Sequence, residues 1–359
     1  MKIGILTYHR THNYGGCLQA VATRIVLEQM GHKVYYIDYW PEYHSYHYAP
    51  FSLKKLIRTN GLRGKLRLLK NEIKYGKFYS KRKQNFESFI RSEISPFCKP
   101  LNEAYDAVVY GSDQIWRKQP ILNDYNPLYF ADHSIEAGKY VAFSASMGIL
   151  PTSEAEKGKV ASLLNNFDYI AVRENGLKSL CENLTGKSIS LTIDPTLLVP
   201  ASLWDRVLSI KSKSHSKYIL VYALHDTFDL KKIQEFAEKR GCVLKVIYGN
   251  ANQKETDNII TTAGPKEFLS LIKNAEFVFS SSFHGLAFSL LYEKQFYVSF
   301  KDNADRAKSL LANVGQSNRF LQPYSNLPEN IEIIDYNNVN EKLQKLREES
   351  LQYLNNALS

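Results

Sequence analysis

The sequence predicts an α/β protein of two domains. Three observations carry that prediction. Short apolar strands alternate with helical patterns along most of the chain. Each strand stops at small or polar residues, as where the carboxyl ends of a parallel sheet line a crevice. A polar, low-complexity stretch, Lys211 to Lys217 (KSKSHSK), then splits the alternation into two runs and reads as a linker. The expected organisation is an N-terminal α/β domain over 1–210 with a basic helical insertion at about 51–91, the linker at 211–217, a second domain over 218–330, and a helical tail over 331–359.

At 359 residues the chain is long enough for two cores, and 44% apolar with 23% charged residues is ordinary for a soluble globular protein. No run approaches the apolar length that spans a bilayer, and Met1 to Arg10 lacks a secretory h-region. Cys17, Cys98, Cys181 and Cys242 lie far apart, suggesting neither a zinc site nor a disulfide framework, so a cytoplasmic location is expected. Net charge is +10, yet twelve Lys/Arg and one acid, Glu72, fall between Leu53 and Lys83. The basicity is thus one segment, which argues against a nucleic-acid binder with dispersed basic grooves.

Taken in order, Lys2 to Tyr8 is a strand running into His12-Asn13-Tyr14-Gly15-Gly16-Cys17, with a helix expected from about Leu18 to Met30 and a strand over Lys33 to Tyr39. This βαβ unit should be right-handed, with its first turn at the ligand edge of the sheet. Its turn is not G-x-G-x-x-G, so a dinucleotide fingerprint is absent, but Gly15 and Gly16 would let backbone approach a ligand closely. Tyr35 to Phe51 is rich in Tyr and Trp, faces that stack on sugars and also suit membrane interfaces. His44 and His47 lack a third ligand nearby, so no metal is expected. In the basic segment Leu62, Leu66, Leu69 and Ile73 fall at i, i+4, i+7 and i+11 among Arg63, Lys65, Arg67, Lys70 and Lys74. That is either a helix packed on its domain with a solvated cationic face, or a peripheral contact through 53–83 with an anionic membrane surface.

Tyr105 to Tyr110 ends in Ser112-Asp113, Lys139 to Ser144 in Ala145-Ser146, and Tyr169 to Val172 in Arg173, whose fixed guanidinium suits carboxylate or phosphate. Asp194 stands at a strand tip that Pro195 halts. Beyond the linker, Tyr218 to Leu224 and Val243 to Tyr248 are strands around a helix at Leu230 to Arg240, and Phe268 to Lys273 is a further helix. The stretch Asn274 to Phe300 reads as a strand (Phe277 to Phe279), a Ser280-Ser281-Ser282 turn, a helix opening near His284-Gly285, and a strand from Gln295. Free N–H groups at that helix start would hold an anion, and His284 is the only side chain between Glu276 and Glu293 whose ordinary titration range is near neutral pH, a candidate for proton transfer or a core histidine. Glu341 to Asn355 is an amphipathic helix able to pack back across either domain.

With Asn13-Tyr-Gly-Gly, GSDQIW (Gly111 to Trp116), the Ser-x-Gly element ending in Gly148, VRE (Val172 to Glu174), DPT (Asp194 to Thr196) and SSFHG (Ser281 to Gly285) in order, the chain resembles the polysaccharide pyruvyltransferase family over nearly its whole length. The resemblance implies two Rossmann-like domains facing a cleft, as in GT-B glycosyltransferases. It implies pyruvyl transfer from phosphoenolpyruvate, as co-substrate and with no other cofactor, to two hydroxyls of a sugar, forming a cyclic ketal. The acceptor it implies is a cell-surface glycan or its lipid-linked oligosaccharide precursor, reached at the inner face of the membrane. In that frame His284 is the acid/base; Arg173, Ser281, Ser282, Gly285, Arg306 and Arg319 bind the donor; Asn13, Gly15, Gly16, Ser112, Asp113 and Asp194 line the cleft or bind acceptor. Family members carry an arginine two residues before the histidine, where Ser282 stands here. Arg306 or Arg319 supplies that charge, or the donor differs, or activity has been lost. A nucleotide-sugar glycosyltransferase and a non-catalytic relative are the alternatives.

Overall fold

In the computed structural model, which describes residues 1–41, 43, 44, 57, 59, 61–210 and 217–359, the strands form two separate sheets, each parallel throughout. The first contains β1 (Lys2–Leu6), β2 (Lys33–Ile37), β3 (Cys98–Lys99), β4 (Ala107–Tyr110), β5 (Tyr140–Ala145), β6 (Tyr169–Val172) and β7 (Ser190–Leu191) in the order β3-β2-β1-β4-β5-β6-β7. The second contains β8 (Tyr218–Ala223), β9 (Val243–Tyr248), β10 (Ile259–Ile260), β11 (Phe277–Ser280), β12 (Gln295–Ser299) and β13 (Phe320–Leu321) in the order β10-β9-β8-β11-β12-β13. Both are doubly wound orders with one reversal, between β1 and β4 and between β8 and β11, which makes each a Rossmann-like unit. Central strands such as β4 and β11 are buried along their whole length, as sheets covered on both faces require. The expected linker falls almost wholly on 211–216, outside the described residues.

The principal helices among the described residues are α1 (Tyr14–Gln29), α2 (Leu62–Glu93), α3 (Glu154–Leu164), α4 (Asn175–Thr185), α5 (Ala201–Val207), α6 (Leu230–Glu238), α7 (Pro265–Lys273), α8 (Phe283–Leu291), α9 (Asp305–Asn313) and α10 (Tyr336–Leu358). Helix α1 begins four residues earlier than its apolar periodicity implies. Asn13 caps it, its Oδ1 accepting the Gly16 N–H at 3.2 Å, so Gly15 and Gly16 belong to the first helical turn and not to a loop. The two domains share a core. Tyr14 stacks on Phe268 at 4.3 Å and 3°, and its hydroxyl donates to the Ala263 carbonyl at 2.9 Å.

Helix α2 lies across both domains. Phe86, Phe89 and Ile90 near its end are buried, the Arg82 guanidinium donates to the Tyr14 hydroxyl (2.8 Å) and the Thr261 carbonyl (3.1 Å), and Lys266 pairs with Glu93 at 2.9 Å. Its other half behaves differently: Leu62, Leu66, Leu69 and Ile73 are exposed, so packing of that stripe on the N-terminal domain is not what the chain does. Of the aromatic segment, Tyr39 and Tyr43 accept from the Asn126 amide at 2.9 and 2.8 Å and His44 packs on Tyr8. Glu42 and residues 45–51 lie outside the described residues.

Helix α10 starts on the second domain, where the Tyr336 hydroxyl donates to the Ser289 carbonyl at 3.3 Å, and ends on the first. There Arg347 donates to the Leu197 carbonyl (2.7 Å), Ile193 N–H to Ser350 Oγ (3.1 Å) and the Tyr353 hydroxyl to the Ala142 carbonyl (2.8 Å). It packs on both domains, not on one of them. Among the described residues no helix is long and apolar enough to cross a membrane.

Candidate active site

The carboxyl ends of the two sheets face each other, and their reversal points meet. Helix α1 follows β1 and helix α8 follows β11, so the first turns of both helices converge. Gly15 lies directly on the His284 imidazole: a Cβ built on it would stand 1.9 Å from Nδ1 and 2.3 Å from Cε1. Only a glycine lets the two helix starts approach this closely.

His284, the second residue of α8, is buried, and its Nε2 lies 3.5 Å from Asp194 Oδ2 across the domain boundary, an ion-pair distance. Asp194 has no exposure to spare for solvent. Its Oδ1 accepts from the Thr196 N–H (3.0 Å) and hydroxyl (2.7 Å), capping the one-turn helix Pro195–Leu197, and its Oδ2 accepts from Arg173 Nη1. Burial alone would raise this carboxyl, but His284 and Arg173 outweigh burial and hold it well below the usual carboxylate range.

Arg173 follows β6 with its guanidinium 5.1 Å from the centre of the Phe283 ring; Arg306, second in α9, lies over the same ring at 5.4 Å. Both face one acid, with Glu174 Oε1 at 3.6 Å from Arg173 Nε and 3.9 Å from Arg306 Nε. Burial and the like charge of Arg173 lower Arg306 to about 10, while burial raises the Glu174 carboxyl against the pull of both arginines and the Ser146 hydroxyl that donates to it. Arg173 Nε and Nη2, Arg306 Nε, Glu174 Oε2 and His284 Nε2 are buried with no hydrogen-bond partner among the described residues. Such groups are rare in folded proteins, and a cluster of orphan guanidinium N–H groups beside a histidine is complementary to an anion. The first domain supplies Arg173, Glu174 and Asp194, the second Phe283, His284 and Arg306.

Several residues singled out from the sequence do other work. Ser281 is buried; its hydroxyl accepts from the Leu224 and His225 N–H groups, both at 2.9 Å, and donates to the His225 carbonyl at 3.0 Å, so it ties β8's loop to β11. Gly285 is glycine because a Cβ would stand 2.0 Å from Ser280 Oγ; its backbone packs on β11. Ser282 precedes α8 with its N–H on Ser280 Oγ at 3.1 Å and its side chain against Tyr222. Ser112 is fully buried, its N–H and hydroxyl both on Gln19 Oε1 at 3.1 Å. Arg319 lies over Tyr297 with Nη2 on the Glu332 carbonyl, whereas Arg306 lies over Phe283 and faces Glu174. Asp194 positions Arg173 and faces His284, and is too enclosed to bind an acceptor. Asn13 caps α1, Gly16 donates to it, and Asp113 stays partly open near Gly16 and Arg306. Phe283 and Glu174 fall within the SSFHG and VRE motifs with no role legible in the sequence; a ring flanked by serines and a histidine carries no sequence sign that two arginines from separate segments will share it. Elsewhere, His9, Asp38 and Cys98 bring ligand atoms within 4.8 Å, but Arg10 Nη2 sits 2.6 Å from Asp38 where a metal's charge would be needed.

Two Rossmann-like domains closing on a cleft that both supply with charged residues define a two-domain protein of the GT-B type. The model of the polysaccharide pyruvyl transferase family matches residues 13–299, and the chain belongs to that family. No curated protein matches the sequence. Among solved structures, the UDP-GlcNAc 2-epimerase from Methanocaldococcus jannaschii is 13% identical with a TM-score of 0.43, covering 96% of this chain and 92% of its own. The glycosyltransferase SnogD from Streptomyces nogalater is 13% identical with a TM-score of 0.41, covering 98% and 95%. The heptosyltransferase WaaC from E. coli is 12% identical with a TM-score of 0.36, covering 96% and 99%.

Proposed function

We propose that the protein transfers the pyruvyl group of phosphoenolpyruvate to two hydroxyls of one sugar in a cell-surface glycan or its precursor. The observation that supports this reading best is the buried Arg173–Arg306 pair, with unmatched N–H groups, beside His284. Phosphoenolpyruvate carries a carboxylate and a phosphate one carbon apart, so two guanidiniums gathered at one ring suit it. Arg306 then takes the part of the arginine that Ser282 replaces.

The reaction balances with these groups. A proton from His284 goes to C3 of the donor, leaving positive charge at C2, and a sugar hydroxyl oxygen bonds to C2 while its proton returns to the imidazole. A second hydroxyl of the same sugar then bonds to C2 as the C2–O bond to phosphate breaks. Inorganic phosphate leaves and takes up the second hydroxyl's proton. Asp194, fixed by Thr196 and Arg173, keeps the imidazole oriented and offsets its charge when it is protonated.

Thermal unfolding with either phosphoenolpyruvate or a UDP-sugar tests the reading. Phosphoenolpyruvate at a hundred times its Kd stabilises the protein by about 2.7 kcal/mol, and Arg306→Ala removes that shift. A shift with the UDP-sugar alone would identify a glycosyltransferase, and a shift with neither a relative without this activity.

A further inference from the structure

We infer that the first half of α2 is a docking surface for an anionic lipid bilayer. The helix has two apolar faces, and the described residues cover only one. Leu68, Asn71, Tyr75, Phe78 and Tyr79 are half-buried and continue into the buried Arg82, Phe86 and Phe89, which forms the packing face. Leu62, Leu66, Leu69 and Ile73 form the other, at spacings that place them in one narrow stripe. They are 75%, 56%, 39% and 88% exposed, so the stripe points away from the body of the protein over its whole length. A helix that only caps its own domain has no use for a second apolar face.

Charge decides what fits there. Leu62 to Lys83 holds nine Lys/Arg and one acid, and Arg63, Lys70, Lys74 and Lys77 border the stripe on one side with Lys65 on the other. Leucines flanked by long cationic side chains match an interfacial helix, whose apolar face enters the acyl boundary while the cations reach headgroup phosphates. A second copy of this chain would set the same nine cations against one another. A nucleic acid would meet the cations but leave the stripe in water. The far end of α2 borders the cleft, with Glu87 on His12 at 2.8 Å and Arg82 on the Tyr14 hydroxyl, and Ile73 is about 14 Å along the helix from Arg82. Docking would therefore hold the cleft mouth close to the membrane surface, where a lipid-carried acceptor lies. The inference does not rest on the identity of the donor.

Sedimentation of the full chain with vesicles of neutral lipid alone and with about a third anionic lipid tests it. Wild type should pellet with anionic vesicles only, and 1 M salt, which shortens the screening length from about 8 to about 3 Å, should release it. Two variants alter solvent-facing positions, so both should melt like wild type: R63E/R67E/K70E/K74E and L62Q/L66Q/L69Q/I73Q. The first should weaken partitioning at least about a hundredfold and the second at least about tenfold. Equal pelleting with both lipids, no pelleting, or unchanged binding by either variant would overturn the inference. So would a wild-type dimer in light scattering that the glutamine variant makes monomeric, since the stripe's occupant would then be a second copy.

Discussion

Gly15→Ala is the most direct probe of the interdomain site. The position has ordinary helical geometry, so alanine itself favours α1 by up to about 1 kcal/mol. The obstacle is His284. The new methyl would stand 1.9 Å from Nδ1, 2.3 Å from Cε1 and 2.4 Å from Cγ, against a contact distance of about 3.4 Å. The shortfall is about 1.5 Å, and three ring atoms share it, so turning the imidazole in its plane gives no relief. Either the starts of α1 and α8 separate by that amount or the ring leaves its place 3.5 Å from Asp194. A displacement of 1 Å at a reacting group costs ~10²-fold in rate, so phosphate release from phosphoenolpyruvate with acceptor present should fall by at least that factor while the protein still folds. Gly158→Ala is the control: it lies within α3 with nothing within 4 Å of an added Cβ, and should raise the melting temperature slightly without touching the rate. A Gly15→Ala protein that turns over and binds phosphoenolpyruvate like wild type would refute the placement of His284 against α1.

Two further substitutions separate roles within the cluster. His284→Ala should lower turnover by ~10²–10⁴-fold, with the Kd for phosphoenolpyruvate in calorimetry and the melting temperature both nearly unchanged; unfolding would show the histidine to be structural. Asp194→Asn strands the Arg173 guanidinium in the interior and should cost about 3–5 kcal/mol. Because the folded Asp194 carboxyl is held below its unfolded value near pH 3.9, its contribution is present above that pH and lost as pH falls through the folded value. Melting curves from pH 6 to 2 should therefore show a shallower acid limb in Asp194→Asn; identical limbs would count against the pairing.

What the sequence makes legible follows from what periodicity encodes. Strands such as Phe277–Ser280 read clearly because both faces are buried, and their ends at small polar residues mark the edge where Arg173, Asp113 and His284 lie. The start of α1 is hidden in the sequence because two glycines in a row resemble a turn, although Asn13 caps the helix before them. Serines 281 and 282 looked like donors free for a ligand, but strand-end hydroxyls first satisfy neighbouring backbone, and only the position of β8 shows that. Arg306 and Arg319 carry equal weight in a sequence. What distinguishes them is what each reaches: Arg306 lies over Phe283 and faces Glu174, whereas Arg319 lies over Tyr297 and donates to the Glu332 carbonyl. The cluster itself joins segments over a hundred residues apart, such as Arg173 and Phe283, which no local pattern records.

Helix α10 sets a condition on how the chain is made. Val339, Leu343, Leu354, Ala357 and Leu358 are buried, and the helix ends against β5 and the Ile193–Leu197 turn, both formed from the first 200 residues. A ribosome that has released residue 210 has still to add 149 more before that surface can be covered, which takes roughly 7–30 s at bacterial and eukaryotic rates of synthesis. Through that interval the first sheet is held by incomplete packing, with Phe143 waiting for the Tyr353 ring that stacks on it. The first domain to emerge is therefore the last to be finished, and a nascent chain halted anywhere before about residue 350 carries an apolar groove for chaperones to find.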